Sequence, residues 1–173
     1  DRYFTREDKR IRAELDEFLR IPSISARSEH NADTARCADW LATQIRKLGM
    51  DASVHPTAGH PIVLGEWRKA GTDAPTVLVY GHYDVQPVEP LDLWTSPPFE
   101  PTVRDGKLFA RGSVDDKGQL YIHVKAAEAL LKERGKLPVT LIFLAEGEEE
   151  VGSENLAEFI ERNAKLLTAD AVV

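Results

Sequence analysis

The sequence predicts a three-layer α/β fold, helices on both faces of a mostly parallel central sheet, and two apolar runs with helical patterns around them are what predict it. Thr76 to Tyr80 and Pro138 to Ala145 carry almost no polar side chains. Such runs suit strands buried on both faces, at the middle of a sheet covered by helices. Helical periodicities alternate with strand-like segments along the chain, which is the arrangement of an α/β domain. At 173 residues the chain has the size of one domain with a sizeable core.

Each element has its own signal. Thr5 followed by Asp8 reads as a helix N-cap with an acidic third residue. Ile11, Leu15, Phe18 and Leu19 then recur at helical spacing until Pro22 ends the element. After a polar stretch from Ser23 to Asn31, a second helix carries Cys37, Leu41, Ile45 and Leu48 inward and ends at Gly49. Val54 and then Ile62 to Trp67 read as short strands set off by Pro56, Gly59 and Pro61. Asp105-Gly106, between Thr102-Val103 and Leu108-Phe109, is a hairpin-turn signal. A long helix is expected from Lys117 to Arg134, with Leu120, Val124, Ala127 and Leu131 inward and Gly135 as its stop. Ser153, Asn155 and Leu156 open another helix, and Ala171-Val172-Val173 begins a last strand. No repeat, low-complexity tract or long Gly/Ser linker divides the chain, so it reads as one unit.

Composition narrows the function classes. Apolar residues make up 42% and charged residues 29%, the balance of a globular protein and not of a disordered one. Lys plus Arg number 22 against 29 Asp plus Glu, a net charge of −7. That acidity argues against nucleic acid as the main partner, because phosphate binding needs a basic face. No run approaches the roughly 18 to 20 apolar residues that span a bilayer, so no membrane partner is expected. Cys37 is the single cysteine. Without a partner for a disulfide it points to a reducing, cytoplasmic setting and reads as a small packed side chain. The opening residues show neither an initiating Met nor an apolar signal region, which leads to the expectation of a piece of a longer chain.

Three polar clusters carry the chemistry. Gly81-His82-Tyr83-Asp84 follows the first buried strand, Glu146 to Ser153 follows the second, and Arg111 to Gly118 lies between the hairpin and the long helix. If the two strands are parallel, the first and last clusters emerge at one carboxyl edge, where open α/β sheets place their ligands. One imidazole converging there with several carboxylates is a metal-site composition. In His82-x-Asp84, residues two apart in an extended segment share a side, so Asp84 can accept the second ring N–H of His82. The acidic run holds four Glu in five residues. Taken alone it also suits a solvated loop or a helix start, and Asp115-Asp116 suits an ordinary helix N-terminus. Against the solvated reading, the run follows an apolar strand with no spacer. Two carboxylates about 4 Å apart repel by roughly 4 kcal/mol at an effective dielectric near 20, and a divalent cation reverses that sign. His30, His55, His60 and His123 lie in loops, at edges or mid-helix and read as surface or packing residues.

In this order the three clusters resemble the aminoacylase, carnosinase and carboxypeptidase-G type family of two-zinc exopeptidases and amidohydrolases. Gly81 to Pro87 resembles its Gly-His-x-Asp-Val-x-Pro motif. Arg111 to Gly118 resembles Arg-Gly-x-x-Asp-x-Lys-Gly, and Glu149 to Ser153 resembles its Glu-Glu-x-Gly-Ser motif. Gln86-Pro87 and the stretch Trp94 to Phe99 look most like the dipeptidase branch. The resemblance implies a zinc-exopeptidase-like fold, of which residues 1–173 would be the N-terminal portion of the catalytic domain. It implies two Zn²⁺ ions (Mn²⁺ or Co²⁺ as substitutes), with His82, Asp115 and Glu150 as ligands and Asp115 bridging. Asp84 would orient His82, and Glu149 would be the general base toward a water held between the metals. The implied substrates are dipeptides or short peptides; N-acyl amino acids are an alternative, and a non-catalytic binding module is another. The family pattern places a further Asp ligand, a last His ligand and an inserted dimerisation domain beyond Val173. The 173 residues alone are therefore expected to bind zinc weakly and turn over little, with a homo-oligomer expected through the uncovered sheet edge.

Overall fold

The computed structural model describes residues 2–173. In chain order they form α1 (Arg2–Arg20), α2 (Asn31–Lys47), β1 (Asp51–His55), β2 (Ile62–Trp67), β3 (Thr76–His82), β4 (Thr102–Arg104), β5 (Lys107–Phe109), α3 (Lys117–Arg134), β6 (Thr140–Glu146), α4 (Leu156–Arg162) and β7 (Ala171–Val172). The main sheet has the order β1-β2-β6-β3-β7. β3 pairs parallel with both β6 and β7, while β2 pairs antiparallel with β6 and with β1. Four of the five strands therefore point the same way, and β2 alone runs against them. β4 and β5 form a separate hairpin, turned by Asp105 (φ 50°) and Gly106 (φ 73°), the paired positive φ angles that Asp-Gly adopts readily.

The apolar runs work because both faces of their strands are covered. In β6, Leu141, Phe143 and Ala145 join one core with Val63, Trp67 and Val79 against Leu41 and Ile45 of α2 and Leu120 and Val124 of α3. The intervening Ile142 and Leu144 face the other way and pack with Ile62, Leu64, Leu78, Phe159 of α4 and Leu167. The period-two alternation is thus present, but it sorts apolar side chains between two cores and not between core and solvent. α1 lies on α2 and α3. Buried Lys117 ties the end of α1 to the start of α3: its Nζ donates to Phe18 O at 3.1 Å and Ile21 O at 2.6 Å. Those carbonyls, at and just past the end of α1, also accept Ile21 N–H at 3.3 Å and Ser23 N–H at 2.9 Å.

Two expectations about helix starts are corrected. α1 begins at Arg2, so Thr5 lies inside it. Tyr3 is buried and its hydroxyl donates to Glu128 of α3, a tertiary contact that carries the helix past its local cap signal. Ser153 does not open α4, which begins at Leu156. Ser153 adopts φ +54°, and its Oγ donates to Glu146 Oε1 at 2.8 Å, so the hydroxyl serves the sheet edge and not a helix end.

Phe143 is fully buried at the centre of the larger core. Truncation to Ala should lower the unfolding free energy by about 3–5 kcal/mol. Truncation of exposed Ile122 should change it by about 0.5 kcal/mol or less. Urea unfolding of both variants beside the parent chain measures the contrast.

Candidate metal centre

Parallel pairing of β3 with β6 sets His82 opposite Glu146 in register, so the two following loops leave the sheet at one edge. The first loop continues extended. Val85 N donates to Ser23 O at 2.9 Å, Ser23 Oγ donates to Tyr83 O at 2.7 Å, and Ile24 bridges Val85. The segment just past α1 therefore pairs with residues 83–85 and holds them extended. The second loop folds into a 3₁₀ turn over Glu149–Val151. The third cluster arrives from the side, because Asp116 precedes α3 and accepts His82 N–H at 3.1 Å through Oδ2. Gly81 permits that approach: a Cβ there would lie 2.7 Å from Asp116 Oδ2.

The ligand atoms of His82, Glu149 and Glu150 lie within 4.8 Å of one another. His82 Nε2 is 3.0 Å from Asp115 Oδ1 and 3.9 Å from Glu149 Oε2. On the other side of the ring, Nδ1 bonds Asp84 O at 3.1 Å and sits 3.3 Å from Asp84 Oδ1. Asp84 is fully buried, and its Oδ2 accepts Glu150 N–H at 3.1 Å. One residue thus engages both, its main-chain oxygen the imidazole and its carboxylate the backbone of the acidic loop. Gln86, two residues further on, donates to Glu150 Oε2 at 2.7 Å.

The acidic run divides its roles by direction. Glu148 is buried and turned away from the cluster, accepting His60 N–H at 2.9 Å and Asn155 N–H at 3.2 Å. Glu146 accepts from Tyr80 Oη at 2.6 Å and from Ser153, while its Oε2 is buried without a hydrogen-bond partner. Burial raises the pKa of Glu146 against the pull of those two donors. Glu149 is exposed and Glu150 half-buried at the rim.

Of the residues singled out in the sequence, His82, Glu149 and Glu150 are brought together, Asp115 touches the open side of the imidazole, and Asp84 lies beneath it. Three of the other histidines are engaged elsewhere. His30 pairs with Asp33, His55 with Ser53, and His60 with Ser25 O. Sequence reasoning missed Gln86 and the inward turn of Glu148. The spacing of two from His82 through Asp84 held the signal for Gln86.

The donor set fits a divalent cation. Among the described residues no Lys or Arg forms an ion pair with Asp115, Glu149 or Glu150; the only ion-pairing partner of Asp115 and Glu149 is His82. Several carboxylates gathered on one imidazole without a fixed counter-charge attract such an ion. Burial lowers the pKa of His82, but Asp84, then Asp116 and Glu149, outweigh it and hold the pKa up at about 9.

These features define an α/β domain with a histidine–carboxylate centre at the carboxyl edge of parallel strands. The chain belongs to peptidase family M20/M25/M40, whose pattern matches residues 78–173. It is 34% identical over 165 residues to a cysteinylglycine-S-conjugate dipeptidase of Corynebacterium striatum, covering 95% of this chain and 36% of the relative. An M20 family metallo-carboxypeptidase from Sulfolobus solfataricus superposes with a TM-score of 0.86 at 41% identity, covering 94% of this chain and 36% of the other. Human carnosine dipeptidase 1 superposes at 0.89 with 28% identity, covering 99% and 39%. The chain thus spans little more than a third of these relatives. Among the described residues no helix is long and apolar enough to cross a membrane.

In chelator-treated protein the His82 ring should titrate near pH 9, read from its Hε1 resonance by NMR. A folded pKa of about 9 lies above the ordinary value near 6.5. Its contribution to stability is therefore full below about pH 6.5 and lost as pH rises through 9. A midpoint at or below 6.5 would contradict the Asp84–His82 arrangement.

Proposed function

We propose that this chain is the N-terminal portion of a catalytic domain whose parent protein hydrolyses an amide bond in dipeptides or short peptides with the aid of divalent metal, zinc foremost. The carrying observation is the convergence of His82, Glu149 and Glu150 within 4.8 Å at the edge where β3 and β6 end. Membership of the peptidase family and the dipeptidase names of two relatives support it.

His82, Asp115 and Glu150 are the residues that would hold the metal. A bound divalent ion supplies Lewis acidity at a carbonyl and makes water a stronger acid. Asp84 keeps Nδ1 of His82 engaged, so Nε2 is the nitrogen left facing the centre. Glu149, its side chain 44% exposed beside His82, takes a proton from the attacking water and returns it to the leaving amine. A base at the rim reaches substrate without leaving its place, because the 3₁₀ turn behind it is closed by Gly152 N–H to Glu149 O at 3.1 Å.

The remaining ligands and the surface that grips substrate belong, in this reading, to the rest of the parent protein, so the 173 residues alone turn over little. Cys37, buried and unpaired, fits a reducing cytoplasmic setting. The outer edge of β7, with Val172 exposed, fits self-association of the isolated chain.

In the parent protein, Glu149→Gln should lower kcat on dipeptides by about 10²–10⁴-fold with metal content by elemental analysis unchanged. Unchanged kcat would remove Glu149 from the role of base. A parent protein that holds no divalent metal after dialysis would overturn the whole reading.

A further inference from the structure

The extended segment after β3 presents its polar residues at intervals of two. His82, Asp84 and Gln86 share one side, and all three face the acidic loop. Asp84 Oδ2 takes the main-chain N–H of Glu150. The Gln86 amide donates to Glu150 Oε2 at 2.7 Å and to Glu150 O at 3.3 Å. Three groups of Glu150, its N–H, its C=O and its carboxylate, are thus bound to two residues of one short segment.

Gln86 itself is exposed, yet its backbone is fixed on both sides. Before it, Val85 N–H is bound to Ser23 O. After it, Pro87 O accepts from Arg111 Nη2 at 2.9 Å, and the Arg111 guanidinium lies 5.2 Å from the Trp94 ring centroid. A side chain on so fixed a base does not need to be ordered anew to reach its partner.

We infer that Gln86 is a positioning residue for Glu150: its amide occupies Oε2 and leaves Oε1 as the oxygen free to bind a divalent cation. This rests on the reading of Glu150 as a metal ligand. The inference concerns Gln86 of this chain. The chemistry suits an amide. A neutral N–H donor orients a carboxylate without neutralising it, whereas Lys or Arg there would compete with the cation, and Glu would repel the ligand.

The experiment measures Zn²⁺ affinity by isothermal titration calorimetry, and urea unfolding in parallel, for the full-length parent protein and its Gln86→Ala, Gln86→Glu and Glu150→Gln variants. Expected is a loss of affinity of about 10- to 100-fold in Gln86→Ala, a loss at least as large in Gln86→Glu, and unchanged urea midpoints for Gln86→Ala. Gln86→Ala binding within twofold of the parent while Glu150→Gln is weakened overturns the inference and leaves the ligand reading standing. Glu150→Gln binding like the parent overturns the ligand reading and the inference together. Equal losses of affinity and of unfolding stability in Gln86→Ala would make Gln86 a merely structural residue and also overturn the inference.

Discussion

Seven consecutive pairings join β3 to β6 in parallel, from Thr76 with Thr140 to His82 with Glu146, and the rest of the site hangs on that register. A slip of one residue would turn every side chain of one strand to the opposite face. A slip of β3 would take Leu78 out of the smaller core and His82 from its place opposite Glu146, and a slip of β6 would take Ile142 out of that core. The burial of β6 on both faces makes such a slip costly, since each large apolar side chain stabilises by about 1.5–3 kcal/mol when buried. The apolar core thereby fixes the position of polar residues that contribute nothing to it.

What the register does for the strands, the end of α1 does for the loops. Lys117 holds the carbonyls of Phe18 and Ile21, and the residues just beyond them hold Tyr83 and Val85. Lys117 is fully buried, and that burial lowers its pKa. One lysine therefore couples a helix end, a helix start and the segment bearing His82. The second polar cluster is a structural joint: Asp115 faces the imidazole, Asp116 closes the end of β3, and Lys117 anchors the fold.

Electrostatics follows from the same geometry. A carboxylate buried as fully as Asp84 is costly unless it is bonded; here Oδ2 accepts a backbone N–H of Glu150, while Oδ1, 3.3 Å from the imidazole Nδ1, has no hydrogen-bond partner. The excess of acid on the open side of His82 is left uncompensated by any Lys or Arg among the described residues. Such an arrangement is unfavourable by itself and favourable around a divalent cation, a conflict of the kind expected where a fold serves chemistry.

The sequence by itself determined the elements with strong periodicity. α3 runs from Lys117 to Arg134 and β2 from Ile62 to Trp67, the bounds that hydropathy and Gly or Pro punctuation indicate. It also determined that one histidine and a set of carboxylates follow buried strands, because position after an apolar run is a property of the chain alone. Only the tertiary structure decided which way each carboxylate turns. Glu148, Glu149 and Glu150 are chemically alike and adjacent, and a polar loop has no period from which to read their directions. Glu148 turns inward because His60, 88 residues away in sequence, and Asn155 offer it donors. Glu150 is held by Asp84 and Gln86, 66 and 64 residues away. Contacts of that range depend on strand order and register, and these arise from packing two apolar cores against opposite faces of one sheet.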